Sequence, residues 1–167
     1  MPHPSPRPTD RIPPTHPVDV FLILTRDDRV LLALREGTGY ADGEWNLPSG
    51  KLEFGEDAVC AVIREAAEEI GIRLTPDEVR PATTVHYRNR LGQGRIGLIF
   101  VADHVPDRHS EPVNAEPHKC AGIGWFPVDG LPDATDAYTT VSIGAWRSGV
   151  RLQVSGWTGA RIVRSGR

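Results

Sequence analysis

Residues 50–72 read GKLEFGEDAVCAVIREAAEEIGI, and the rest of the chain is best read outward from them. Val59, Val62, Ile63, Ala66 and Ile70 recur at three- and four-residue spacing and make one apolar stripe, the signature of a helix lying on a core. Glu56 and Asp57 stand at its start, where the helix dipole favours negative charge. Gly71 stands just past the last periodic residue, where a left-handed cap suits glycine. The pattern predicts a helix from Asp57 to Ile70.

Glu65, Glu68 and Glu69 fall at i, i+3 and i+4, so they project from one side of that helix. Like charges at this spacing cost roughly 0.2–0.5 kcal/mol per pair and do nothing for the helix itself. Arg64 answers Glu68 at i+4, but it is a single cation among three anions. A hard divalent cation with oxygen ligands relieves such repulsion. Each glutamate alone reads as part of a solvated acidic face. The joint spacing of Gly50, Glu56, Arg64, Glu65, Glu68, Glu69 and Gly71 reads otherwise, since seven fixed identities coincide by chance on the order of 10⁻⁸ times per starting position.

The spacing Gly-x5-Glu-x7-Arg-Glu-U-x-Glu-Glu-x-Gly-U, with U apolar, resembles the Nudix box. Every fixed position is present, with Ala66 and Ile72 at the apolar sites; Ala66 is small where the family often has leucine. The preceding Trp45-Asn46-Leu47-Pro48-Ser49 also resembles the family's lead-in, with Ser49 where glycine is common. The resemblance implies an α/β fold, the Nudix α/β/α sandwich with a mixed β-sheet between helices. It implies metal binding by Glu65, Glu68 and Glu69, with the backbone at Gly50 brought near the ion. Mg²⁺ is the expected metal, and Mn²⁺ the substitute. Glu56 is expected to hold the site from the loop, Arg64 to orient glutamates, and Gly71 to close the helix. The stretch around Glu116 resembles MutT-related nucleoside-triphosphate pyrophosphatases and makes Glu116 a second candidate base beside Glu65. The catalytic candidates are thus Arg64, Glu65, Glu68 and Glu116.

The implied reaction is hydrolysis of a nucleoside diphosphate linked to a group X, foremost a nucleoside triphosphate cleaved to monophosphate and pyrophosphate. ADP-ribose, a nucleotide sugar or a non-nucleotide diphosphate are alternative substrates. A nucleotide sensor without turnover is the alternative of another class. Arg35, Lys51, Arg95 and Trp125 are the substrate-contact candidates. Phe126 and Asp129 join Trp125 as candidates for base selection, with core packing as the other role of the two aromatics.

Upstream, residues 1–17 hold seven of the chain's 15 prolines and read as an extended tail; residues 18–167 read as one domain. Val18–Thr25 and Val30–Arg35 read as strands of a hairpin whose near-continuous apolar runs fit a sheet covered on both faces. Trp45–Leu47 reads as a short strand. Downstream, Val79–Arg88 and Arg95–Ala102 read as a second hairpin, residues 103–121 as a polar loop, and Ile123–Pro127 as a strand. A second helix is expected from Thr135 to Arg147, packing through Tyr138, Val141, Ala145 and Trp146, with a small strand after Val150. His86 reads as an ordinary hydrogen-bonded strand histidine.

The net charge is −3 over 167 residues, against a general nucleic-acid binder, which needs clustered cations. Cys60 and Cys120 do not make a disulfide framework, and Cys60 is expected to be at least half-buried. No apolar run reaches the ~18–20 residues of a membrane span, and the first residues show no signal-peptide apolar region. A cytoplasmic protein with a small-molecule substrate is the expectation, with a homodimer as the form many Nudix proteins take.

Overall fold

The computed structural model describes residues 15–157 and, for the backbone alone, Ile162–Arg164. Residues 1–14 of the expected proline-rich tail lie outside the described residues. Pro17 already belongs to the sheet's surroundings, because its carbonyl accepts from Ile96 N–H at 3.0 Å.

Nine strands and two helices follow in the order β1 (Val18–Arg26), β2 (Arg29–Arg35), β3 (Trp45–Asn46), β4 (Ser49–Lys51), α1 (Ala58–Ile70), β5 (Arg80–Arg88), β6 (Gly94–Asp103), β7 (Cys120–Pro127), α2 (Ala137–Arg147), β8 (Val150–Ser155) and β9 (Ile162–Arg164). The main sheet runs β3-β2-β1-β6-β5-β8-β9, with β4 added on β1 and β7 on β2. It is mixed: β1 and β6 are parallel, as are β5 and β8, while the other pairs are antiparallel.

The expected first hairpin exists only at its tip. Asp27, at φ 55°, turns the chain, and β1 and β2 pair only at Thr25–Val30 and Arg26–Arg29. Beyond that they part. The N-terminal half of β1 takes β4 as its partner, through Asp19–Lys51, Val20–Gly50 and Phe21–Ser49, while β2 pairs with β3 and β7. Each parted strand thus keeps its backbone groups satisfied, and a cleft opens between the start of β1 and the end of β2.

Alternation along the strands sends side chains to two cores. Val20, Leu22, Leu24, Phe100 and Ala102 pack with Ala61, Val62, Ala66 and Ile70 of α1. Phe21, Ile23, Ile99 and Val101 pack with Tyr138 and Ile143 of α2. The sheet therefore lies between the helices, as the apolar runs of its strands predict.

Asp57 caps α1, its Oδ1 accepting from Val59 N–H and Cys60 N–H at 2.9 Å each. Gly71, at φ 68°, closes the helix in the left-handed region. Cys60 is exposed rather than half-buried, because the buried face runs through Ala61, Val62, Ala66 and Ile70. The buried face of α2 holds the expected Tyr138 and Ala145 together with Thr139, Ser142 and Ile143. Two of these are polar and go in because they are paired: Thr139 Oγ1 accepts from Leu47 N–H at 3.1 Å, and Ser142 Oγ–H donates to Tyr138 O at 2.8 Å. Val141 and Trp146 pack at the margin of the same core.

Candidate active site

The cleft between β1 and β2 is the mouth of a cavity of about 720 Å³. Helix α1 brings acids to it from one side of the sheet, and α2 closes the other side.

Glu65 lies against β4. A Cβ built on Gly50 would fall 1.7 Å from the Glu65 carboxylate oxygen, so glycine is required for this approach. Glu69, one turn on, accepts Ser49 N–H at 2.8 Å. The parting of β1 from β2 places β4 under the helix, and β4 offers these carboxylates backbone in place of side chains.

Arg64 is the cation that these acids gather round. Its guanidinium donates to Glu56 Oε1 at 2.7 Å, to Glu65 Oε1 at 2.7 Å and to Glu68 Oε2 at 3.2 Å. Glu56 in turn accepts Glu53 N–H at 2.9 Å, tying the loop before α1 to the helix. The Arg64 hydrogen bond holds the Glu56 carboxyl below the ordinary carboxylate range. Burial pushes Glu65 up, with Glu68 and Glu116 adding repulsion against the pull of Arg64. Burial pushes Glu69 up to about 8, Ser49 N–H opposes this, and the charges of Glu65 and Glu116 push the same way.

Glu116 reaches the site because its loop is laced to the end of α1. Val113 N–H donates to Ile70 O at 3.0 Å, and Ala115 N–H to Glu69 O at 3.1 Å. These bonds satisfy carbonyls that a helix end leaves free. Glu116 Oε1 takes a bond from Lys119 Nζ at 2.8 Å.

The donor set is all carboxylate, hard oxygen chemistry that suits a divalent cation. Among the described residues no three acids, histidines or cysteines enclose a common point, since Arg64 occupies the space between Glu56, Glu65 and Glu68. Glu69 has no cationic hydrogen-bond partner among the described residues, and burial favours its protonated form, so a cation arriving at the site would have to displace that proton. The residues thus fit a divalent ion, with Glu65 and Glu69 as the half-buried donors and the exposed Glu68 at the rim.

Arg35 and Lys51 line the cavity, as expected of groups that meet a phosphate. Arg35 Nε–H donates to Tyr40 O at 3.1 Å, and neither residue forms an ion pair among the described residues. Arg95 also lines the cavity, but it is committed to Asp19. Trp125 lies elsewhere, on β7, with the Arg26 guanidinium 4.2 Å from its ring centroid. Phe126 packs edge-on to Trp45, and neither it nor Asp129 lines the cavity. His86 is remote as well, with its ring 4.6 Å from that of Trp157.

Sequence reading passes over Asp19, Asn46, Asp136 and Tyr138, all of which line the cavity. One signal was present: Asp19 is the lone acid in the run Val18-Asp19-Val20-Phe21-Leu22-Ile23-Leu24. A charge inside a two-sided strand is a cost unless something pairs with it. Asp136 caps α2 through Tyr138 N–H and Thr139 N–H, and burial pushes its carboxyl up.

Residues 15–143 match the model of the NUDIX domain. The chain is 40% identical over 88 residues to a MutT-like protein of Streptomyces ambofaciens, covering 53% of this chain and 52% of that one. It is 34% identical over 106 residues to the CTP pyrophosphohydrolase of Escherichia coli (strain K12), covering 64% of this chain and 72% of the relative. The crystal structure of a MutT NUDIX hydrolase from Burkholderia pseudomallei superposes with a TM-score of 0.69 at 29% identity, covering 78% of this chain and 97% of the other. The chain thus spans about half the length of the Streptomyces protein, whereas the Burkholderia protein is matched nearly end to end.

Proposed function

The chain belongs to the NUDIX domain family, and on that premise we propose that it is a Mg²⁺-dependent hydrolase of a phosphoanhydride in a nucleoside diphosphate linked to X, foremost a nucleoside triphosphate. The observation that carries this reading is the placement of two half-buried carboxylates at the cavity wall, Glu65 lying against the backbone of Gly50 and Glu69 accepting Ser49 N–H, with Glu68 and Glu116 lining the same cavity. A bound divalent ion supplies charge neutralisation on the phosphate oxygens and lowers the pKa of a bound water.

The chain's own groups divide the remaining work. Arg35 and Lys51, which form no ion pair among the described residues, bind the phosphates. Arg64 holds Glu65 in place through a 2.7 Å hydrogen bond and ties it to Glu56. Glu116 sits on a loop, accepts from Lys119 at the cavity rim and takes the proton from the attacking water. Glu65, the other candidate base, is bonded to Arg64 and pressed on Gly50, which suits an anchor better than a group that exchanges protons.

The name of the Escherichia coli relative favours a ribonucleoside triphosphate and pyrophosphate release. The test is product identification with and without Mg²⁺ over nucleoside triphosphates, ADP-ribose and nucleotide sugars. Monophosphate and pyrophosphate from a triphosphate support the reading. Faster turnover of ADP-ribose moves the substrate class, and saturable binding with no Mg²⁺-stimulated turnover of any substrate makes the protein a sensor.

A further inference from the structure

The α2 side of the cavity is built on a different plan from the carboxylate side. Asp19 is 5% exposed. Alternation along β1 puts it on the same face as Phe21, toward α2. It pairs in register with Gly97 of the neighbouring β6, and Arg95, two residues before Gly97, shares that face. Arg95 donates from Nε to Asp19 Oδ2 at 2.7 Å and from Nη2 to Oδ1. This uses two of the five guanidinium N–H groups. The outer edge, Nη1 with the second proton of Nη2, has no protein acceptor among the described residues.

Gly97 leaves room for a second donor. A Cβ there would fall 2.4 Å from Tyr138 Oη. Tyr138 is 6% exposed; its ring stacks on Tyr87 with centroids 4.3 Å apart and meets the edge of Phe21 at 4.6 Å. Its hydroxyl is buried with no partner among the described residues. A buried, unpaired hydroxyl held in a fixed position is a cost to the free protein that a ligand acceptor removes.

Charge separates this wall from the phosphate-binding groups. Asp19 neutralises Arg95, so the pair exerts little pull on a phosphate. What remains is direction: a planar two-proton edge and one O–H, beside the apolar surfaces of Phe21 and Leu47. Such an edge matches two adjacent acceptors in one plane.

Building on the hydrolase reading above, we propose that Arg95, held by Asp19, and Tyr138 form the specificity-determining subsite for a nucleobase presenting a carbonyl oxygen beside an unprotonated ring nitrogen. Cytosine presents this pair as O2 and N3, and guanine as O6 and N7. Adenine has no carbonyl, and sets an amino donor beside N1 and N7. Uracil and thymine carry N3–H between their carbonyls, and 8-oxoguanine carries a proton on N7. The subsite therefore selects cytosine and guanine nucleotides over the others.

The experiment is calorimetric binding of α,β-methylene analogues of CTP, GTP, ATP and UTP to the whole chain with Mg²⁺, on the parent protein, Tyr138→Phe and Arg95→Lys. The expected result is that the cytosine and guanine analogues bind about 10–100-fold tighter than the other two. Tyr138→Phe and Arg95→Lys each shrink that ratio several-fold, since lysine has no two-proton edge. Tyr138→Phe removes a hydroxyl that has no partner, so its thermal midpoint equals or exceeds the parent's. Equal affinity for the four analogues, no binding of any, or a ratio that neither substitution moves overturns the proposal. Discrimination in binding with no Mg²⁺-stimulated turnover of CTP, GTP, ADP-ribose or a nucleotide sugar keeps the subsite and sinks the hydrolase reading; turnover without base discrimination does the reverse.

Discussion

On the α1 side of the cavity, Glu56, Glu65, Glu68 and Glu116 pair with Arg64 and Lys119, Glu69 stands beside them, and Arg35 and Lys51 line the same cavity without an ion pair among the described residues; on the α2 side, Asp19 and Arg95 pair one to one, beside the Asp136 that caps α2. The first arrangement has more acids than cations, and burial, with repulsion from neighbouring carboxylates added, pushes Glu65 and Glu69 up. The second is balanced, and what it keeps is hydrogen-bonding direction. Unbalanced buried charge calls for a counter-ion from outside, which is how a metal comes to be held. Balanced charge exerts little long-range pull and can distinguish one neutral ring from another. The division matches a substrate with a charged tail and an uncharged planar head.

The comparison breaks most readily at Glu69 and Glu65. Glu69→Gln or Glu65→Gln is expected to lower the initial rate of Mg²⁺-dependent pyrophosphate release roughly 10²–10⁴-fold. An intact rate in either variant would remove the reason for the charge excess. Gly50→Ala comes next. Its new methyl falls on the Glu65 carboxylate, 1.7 Å from an oxygen, and displacing that group is expected to cost about 100-fold in rate, with far-ultraviolet circular dichroism unchanged.

Metal binding sharpens the contrast. Mg²⁺ at about 100 times its dissociation constant stabilises a binding protein by about 2.7 kcal/mol, read as a raised thermal midpoint. Glu69→Gln is expected to lose most of this shift, while its metal-free midpoint exceeds the parent's by a margin that opens above pH 4.5 and is full only above about 8, where the half-buried carboxyl is charged. A metal-free midpoint that falls instead would show that Glu69 is not held at a cost. The smallest effect concerns how α2 is anchored. Thr139→Val leaves Leu47 N–H without its acceptor and is expected to cost about 1–3 kcal/mol in urea unfolding. It should weaken base discrimination more than metal binding, because Leu47 lies on the α2 side of the cleft.

Much of the α1 side is legible from spacing alone. Glu65, Glu68, Glu69 and Arg64 lie within two turns of one helix, and the geometry of a helix dictates which side chains share a side. Asp57 as cap and Gly71 as terminator are local in the same sense. The packing face of α2 is legible in Tyr138, Val141, Ala145 and Trp146, while Thr139 and Ser142 go in by virtue of bonds that pattern does not reveal. Trp125 is a base-selection candidate as an aromatic outside the box, yet its ring meets Arg26 on another part of the sheet. Glu116 was legible as a candidate, but its nearness to Glu69 depends on backbone bonds from its loop to the end of α1.

By itself, then, the sequence determined the helix, its caps, its row of acids and the family to which the row belongs, because each is a matter of spacing along one element. Only the tertiary structure decided that β1 parts from β2 to open a cleft, that Asp19 meets Arg95 across 76 positions of chain, and that the Tyr138 hydroxyl rests where Gly97 has no side chain. Those outcomes depend on strand register and on which helix covers which face. Both are set by packing between distant segments, for which no local period exists.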